Sequence, residues 1–418
     1  APLLFAAGLT SMPASAGPLL DPAYAQAGQR ALNSLGGYVE GLGSCPHANG
    51  SVSVLGYRTT TTSLVTVRLK ANGDLDTSFS GDGIHEQSLF TSLASDRSAT
   101  ACVGVGNAAP GDDRIMVVAT SPASNDRVVA ALIDLNTGGY DSNFYLGGPA
   151  QYDVSGLLFP PQGQVWPYPR VKLRGVFPGP GNGWLMVGQL AGHSSGVPAG
   201  FVVRVNAGGA IDALAHPVSG GFNSRDLNAA RVGADGDIRV LGTGTINDGI
   251  TWGLLRLDPV TLQPVSLSSS GAADIFEYRI HKGRQIGGGL MVAAGLKNDT
   301  SAFGVSPRLL IVRGDSVVDL ALPAPPALDG LAVGPNGLDG SAAATGAVNN
   351  RAVFAMGLNS LSNASVGYYA AVVQLGDGAG VADSVDVRFA SNGAGSFRYR
   401  PLPTTCAAGM APPQRFAN

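Results

Sequence analysis

Charge is scarce in this chain. Only 13% of its 418 residues are Asp, Glu, Lys or Arg, and 26 basic against 29 acidic residues leave a formal net charge of −3. The basic footprint that neutralises a phosphate backbone is missing, which argues against a nucleic-acid partner. Histidine is rarer still: His47, His85, His193, His216 and His281, with no pair at HxH or HxxxH spacing. A histidine metal centre would need the fold to gather them from separate parts of the chain. The three cysteines, Cys45, Cys102 and Cys406, form no CxxC pair and fit no zinc spacing. No uninterrupted apolar run reaches the roughly 18 residues of a spanning helix. There is no Gly-x-Ser-x-Gly elbow with a plausible triad and no phosphate-cradling loop.

What is abundant is glycine, at 60 residues, with 27 prolines and a hydrophobic share of 44%. The glycines keep no three-residue period, so collagen is excluded. The apolar share is that of a globular protein, so disorder is excluded too. Many short β-branched runs separated by turn residues point to all-β structure.

Those runs repeat. The clearest copy reads Ser51-Val52-Ser53-Val54-Leu55-Gly56, then Leu64-Val65-Thr66-Val67-Arg68-Leu69, then Asn72-Gly73-Asp74-Leu75-Asp76-Thr77-Ser78-Phe79. Aligned on this phrase, the chain divides into six units. Second strands are expected at 51–55, 114–119, 184–188, 237–241, 289–293 and 341–346, and third strands at 64–69, 128–135, 201–205, 252–257, 309–312 and 370–375. First strands are expected at 38–42, 101–105, 171–176, 227–232, 278–282 and 331–335, with exit strands such as 83–87 and 150–154. Four strands per unit, at a spacing of tens of residues, predict a six-bladed β-propeller, with seven blades as the alternative. A ring also removes the exposed edges of a long open sheet.

Residues 20–30 resemble the exit phrase at 75–83 without a blade before it, so they are expected to close the last blade from the amino end. Residues 389–400 compete for the same slot from the carboxyl side. The domain reading is an apolar arm or residual signal at 1–19, one propeller at 20–402 and a tail at 403–418. In neighbouring blades Cys45 and Cys102 both fall near inner strands and are the expected disulfide, with Cys406 as the alternative partner. The stretch Ala1-Pro2-Leu3-Leu4-Phe5-Ala6-Ala7-Gly8-Leu9, followed by Ala14-Ser15-Ala16, resembles the second half of a secretory signal. A mature arm is the favoured reading over a retained signal; either one places the protein outside the cytoplasm.

The pattern at 64–83, apolar-Arg-apolar followed by x-Asn-Gly-x-Leu-Asp-x-Ser-Phe and a later Gly, resembles the delta-60 repeat of bacterial secreted and surface β-propeller proteins. The match is fair at 131–153 and 20–30 and fades elsewhere. The resemblance implies a propeller and an extracytoplasmic setting. It brings no catalytic motif.

Four arginines, Arg97, Arg170, Arg225 and Arg279, fall just ahead of first strands, which in a propeller line the central channel. With His281 they make a candidate cationic ring for a carboxylate, phosphate or anionic sugar. The favoured alternative pairs each with an aspartate or carbonyl of its own repeat, for example Asp96 or Asp226. Asp-Gly and Asn-Gly clusters raise calcium, but the converging ligands it needs have no counterpart in this order, and Asx turns account for them. No cofactor is expected. The first functional reading is a non-catalytic surface, adhesion or filament component, assembling through the apolar arm (Pro2, Leu3, Leu4, Phe5, Leu9) in a neighbouring copy. The alternative is an enzyme or binder at the channel mouth, acting on an anionic small molecule or glycan.

Overall fold

The structure is a computed structural model, and it describes residues 39–47, 49–58, 60–88, 97–99, 114–120, 127–154, 170–191, 198–247, 249–269, 278–286, 290–299, 304–323, 333–348, 351–360, 365–376, 382–387 and 394–398. These residues form six antiparallel sheets, each built from strands consecutive in the chain, and almost no helix. Sheet I holds β1 (Val39–Pro46), β2 (Val52–Arg58), β3 (Ser63–Leu69) and β4 (Ile84–Ser88). Sheet II holds β5 (Arg97–Ala99), β6 (Arg114–Thr120), β7 (Arg127–Asp134) and β8 (Ala150–Asp153). Sheet III holds β9 (Arg170–Pro178), β10 (Trp184–Ala191), β11 (Ala199–Val205) and β12 (Ile211–Ala215). Sheet IV holds β13 (Val218–Ser219), β14 (Phe222–Val232), β15 (Ile238–Ile246), β16 (Gly249–Leu257) and β17 (Pro264–Ser269). Sheet V holds β18 (Tyr278–Ile286), β19 (Leu290–Asp299), β20 (Gly304–Arg313) and β21 (Ser316–Ala321). Sheet VI holds β22 (Val333–Val348), β23 (Arg351–Ser360) and β24 (Ser365–Gln374), whose outer edge pairs with both β25 (Ser384–Val385) and β26 (Ala394–Arg398).

The chain makes two compact units. One takes Ala1–Pro217, Arg225–Ile238 and Asp258–Gln263; the other takes Val218–Ser224, Arg239–Leu257 and Pro264–Asn418.

In the first unit the middle strands are buried on both faces. Ile115, Val117 and Ala119 of β6 pack with Leu55, Tyr57 and Leu64 of sheet I. Met116 and Val118, one residue out of step, pack with Leu173, Met186 and Phe201 of sheet III. The two-residue period of a strand sends alternate side chains into two cores, so β6 reads as a continuous apolar run instead of alternating. Each fully buried Val, Leu, Ile or Phe contributes about 1.5–3 kcal/mol, which makes these inter-sheet cores the main source of stability.

The Asp-x-Ser/Asn-Phe phrase does one mechanical job twice. Asp76 accepts the Ser78 backbone N–H, and Asp141 accepts that of Asn143 at 2.8 Å. Each Asx turn swings the following Phe inward, and Phe79 and Phe144 are both buried. Phe144 enters the core between sheets II and III and lies against Gly209 of the next sheet's turn. Gly209 has φ +88°, a backbone conformation that favours glycine, and an added Cβ would press on Tyr145 and Phe144 at 3.1–3.2 Å. Tyr152 ties the same turn by donating its hydroxyl to the Gly209 carbonyl at 2.7 Å.

In the second unit Val292 and Ala294 of β19 and Leu309 and Ile311 of β20 pack with Phe354, Tyr369, Ala371 and Val373. Tyr369 meets Phe354 edge-on and donates to the Pro323 carbonyl at 2.7 Å. Arg313 grips Asp383 with both terminal nitrogens, at 2.5 and 2.6 Å, and also the Gly376 carbonyl. Burial alone would raise the Asp383 carboxyl; Arg313 and the Gly376 N–H outweigh it and hold the pKa below the usual value.

One expectation needs correction, and two others fall on residues outside the described ones. The sixth unit's second strand is β23, not 341–346, which lies inside the long first strand β22. The alanine run predicts a strand of its own, whereas β22 continues to Val348, which pairs with Arg351 of β23. In sheet II the first strand is β5, earlier than the expected 101–105, which lies outside the described residues. Finally, β25 and β26 occupy the edge of β24 from the carboxyl side; residues 20–30, expected there, lie outside the described residues.

Candidate functional site

The first strands carry the arginines singled out in the sequence, but inside the strands instead of ahead of them. Arg97 opens β5 opposite Ala119, Arg170 opens β9 opposite Ala191, Arg225 lies within β14, and Arg279 pairs with Leu296 in β18. For Arg97, Arg279 and His281 the backbone register is described and the side chains are not. The arm residues Pro2, Leu3, Leu4, Phe5 and Leu9 lie outside the described residues, as do Cys102 and Cys406. Of the cysteines only Cys45 has a described backbone, opposite Ser53 in β1.

The described chemistry gathers on β9 and β14 in the first unit. Along β9, Val171 and Leu173 turn into the core, so Arg170 and Lys172 share the other face, and Arg174 follows next to them, acting with Lys172 on Asp226. Arg170 and Lys172 are exposed, and neither has an ion-pair partner among the described residues. Arg174 reaches across to Asp226 of β14. Its Nε donates to both carboxylate oxygens, at 2.9 and 3.0 Å, and a terminal nitrogen donates to Oδ2 at 2.7 Å. The Asp226 side chain is only 13% exposed. Burial raises its pKa above the usual carboxylate value, against the opposing pull of Arg174 and, more weakly, Lys172. Asn228, fully buried two residues on, also favours the charged carboxylate; yet neither of its amide atoms reaches a partner at normal hydrogen-bonding geometry.

Arg225 is not among the groups that act on Asp226. The Arg225 Nε is buried without a partner. The pairing expected for Asp226, with the arginine of its own repeat, is therefore replaced by a pairing with Arg174 of the neighbouring sheet.

Sequence reasoning places Arg174 only as a basic residue near Arg170; its pairing with Asp226 depends on a bulge that the sequence reading does not locate. The β9–β10 register slips between Val187 and Gly188, so that Leu173 pairs with Gly188, Gly175 pairs with Val187, and Arg174 is the extra residue. A Cβ on Gly188 would collide with the Lys172 carbonyl oxygen, so this bulge requires glycine on the facing strand. The same slip recurs opposite Gly56, where Leu42 is extra in β1, and opposite Gly295, where His281 is extra in β18. The glycine midway along β2, β10 and β19 was the available signal: it marks a position where a first-strand side chain is re-aimed.

Among the described residues no three His, Cys, Asp or Glu side chains gather closely enough to hold a metal ion, and no helix is long and apolar enough to cross a membrane.

Residues 47–79 match a β-propeller domain of unknown function, DUF5122. The match covers β2, β3 and the Asx turn that buries Phe79, and it supports a β-propeller family. No curated relative matches the sequence. Among solved structures, a GH43 endo-arabinanase from Bacillus licheniformis is 13% identical, with 70% of this chain and 97% of that one covered and a TM-score of 0.34. A GH43 β-1,3-galactosidase is 11% identical at a TM-score of 0.35, with 68% of this chain and 57% of that one covered. A Lactobacillus plantarum protein whose description names no activity is 9% identical, covering 85% and 87%, with a TM-score of 0.40. This chain thus spans little more than half the length of the galactosidase. The expectation of a non-catalytic surface or filament component is corrected here: the solved structures matched include glycan-acting enzymes. Similarity this low transfers no residue role, substrate or activity.

Proposed function

We propose that this chain recognises a glycan carrying repeated anionic groups through the cationic face of β9. The observation that carries it is the pair Arg170 and Lys172 on one strand face, both exposed and unpaired among the described residues. In a chain of net charge −3, two neighbouring free cations stand out. Strand geometry spaces Arg170 and Lys172 by about 7 Å, which suits two anionic groups of one ligand better than a single small anion. Guanidinium and ammonium groups bind carboxylate and sulfate through charge-assisted hydrogen bonds. A six-bladed closed ring, kinship with the delta-60 repeat through residues 64–83, and an extracytoplasmic setting belong to the same reading. The six consecutive sheets and the propeller match at 47–79 support it.

The test is binding of polygalacturonate and dextran sulfate, against neutral dextran, to the wild type and to a double charge reversal, Arg170→Glu with Lys172→Glu. Both anionic polymers should bind the wild type and lose at least tenfold in affinity to the variant, with neutral dextran bound by neither. Equal affinities for wild type and variant would sink the proposal.

A further inference from the structure

The face of β9 that carries Arg170 and Lys172 continues across sheet III. Lys172 pairs with Gln189 of β10, and Arg170 pairs with Ala191, in the regular stretch of ladder next to the bulge. Directly paired residues of an antiparallel ladder leave on the same face, with Cβ atoms about 5 Å apart. Burial agrees: Val171 and its partner Leu190 both enter the core, whereas Gln189 and Ala191 are both half-buried. Two exposed cations therefore stand beside one neutral amide and one methyl group. Among the described residues none hydrogen-bonds the Gln189 side chain, and its other cross-strand neighbour, Gly200 of β11, has no side chain to offer.

We propose that Gln189 is the specificity-determining residue of this site: it hydrogen-bonds sugar hydroxyls beside the anionic groups held by Arg170 and Lys172, and so selects a polyuronate, whose carboxylates are accompanied by free hydroxyls. The inference rests on the proposed recognition of an anionic glycan through β9. The three side chains divide the work by their chemistry. Guanidinium and ammonium groups only donate, so they hold anionic oxygens without telling a sugar acid from any other polyanion. A carboxamide donates through its nitrogen and accepts through its oxygen, which matches a hydroxyl that does both. Gln189 lies directly opposite Lys172 and diagonal to Arg170, so the carboxylate and a hydroxyl of one sugar unit meet a single patch. The planar fork of Arg170 suits a carboxylate in particular. A polymer without hydroxyls leaves the amide without its bonds, and a polar group left unpaired on binding is what lets such a site discriminate. Binding exchanges water for ligand, and no covalent bond changes.

Polygalacturonate and polyacrylate are the probes, because both carry carboxylates along a chain and only the first has hydroxyls. Affinities for the two are measured with the wild type, Gln189→Leu, the double reversal Arg170→Glu with Lys172→Glu, and Gln151→Leu. Gln151 is exposed on β8 of sheet II and controls for loss of any one surface amide. Gln189→Leu should lose about fivefold in affinity for polygalacturonate, the scale of one or two net hydrogen bonds, and nothing for polyacrylate. Gln151→Leu should match the wild type with both polymers, and the double reversal should lose both. If Gln189→Leu aggregates, Gln189→Ala is read in its place. Unchanged polygalacturonate affinity in the Gln189 variant, or an equal loss of both polymers, overturns the specificity role while leaving anion recognition standing. Equal binding by the wild type and the double reversal, or binding of neither polymer by the wild type, overturns both.

Discussion

Phe144 shows how much one residue of the repeat contributes. It is buried in the core between sheets II and III, and the Asx turn at Asp141 aims it there. Truncating a buried Phe removes its transfer energy and leaves a cavity, so Phe144→Ala should cost about 3–5 kcal/mol. Neighbouring Tyr145 is 46% exposed, and Tyr145→Ala should stay within about 1 kcal/mol. Urea unfolding midpoints of the two variants check the contrast; similar losses would mean that Phe144 is not the anchor it is taken to be. At this scale the sequence was readable where the phrase is complete, at Asp76 to Phe79 and Asp141 to Phe144. The pairing of Arg174 with Asp226 was not readable. Nothing local distinguishes it from Arg170 or Lys172, because its partner lies 52 residues away.

At the scale of the element, the bulge in β9 is the decisive feature. Gly188 leaves space for the Lys172 carbonyl, and the extra residue turns Arg174 toward Asp226. Gly188→Ala forces the two strands apart or straightens the ladder, at about 1–3 kcal/mol by the usual cost of overpacking. Straightening also shifts one segment of β9 by a residue, which exchanges the faces of its side chains. Gly188→Ala should therefore lower the thermal midpoint and also weaken dextran sulfate binding relative to wild type at a temperature where both are folded. Reduced stability with unchanged binding would separate the bulge from the site. Strand positions were legible wherever an apolar run is bounded by Asn-Gly or Gly-Gly turns, as in sheets I and III. Sheet VI misled because its first strand is alanine-rich and sixteen residues long, with two register irregularities that break the period.

For the whole molecule, the contrast of scales is electrostatic. The formal net charge is −3, so bulk attraction would repel a polyanion instead of gathering it. Binding through the β9 face must work at short range against that background, and salt screens it once the Debye length falls to a few ångströms. Raising sodium chloride from about 0.1 M to about 1 M, which shortens the Debye length from roughly 10 Å to 3 Å, should weaken dextran sulfate binding at least tenfold. Salt-insensitive binding would point to apolar contacts and away from the cationic row.

Composition and repeat by themselves determined that this chain is all-β, built from consecutive antiparallel sheets, because turn chemistry and apolar runs act within a few residues of one another. Glycine and the Asx phrase likewise specified where strands end and which Phe turns inward. Only the tertiary structure decided which charges meet. The pairing of Arg174 with Asp226, and the release of Arg170 and Lys172 from any such partner, depend on two strands far apart in sequence being brought together by packed cores and then offset by one bulged residue.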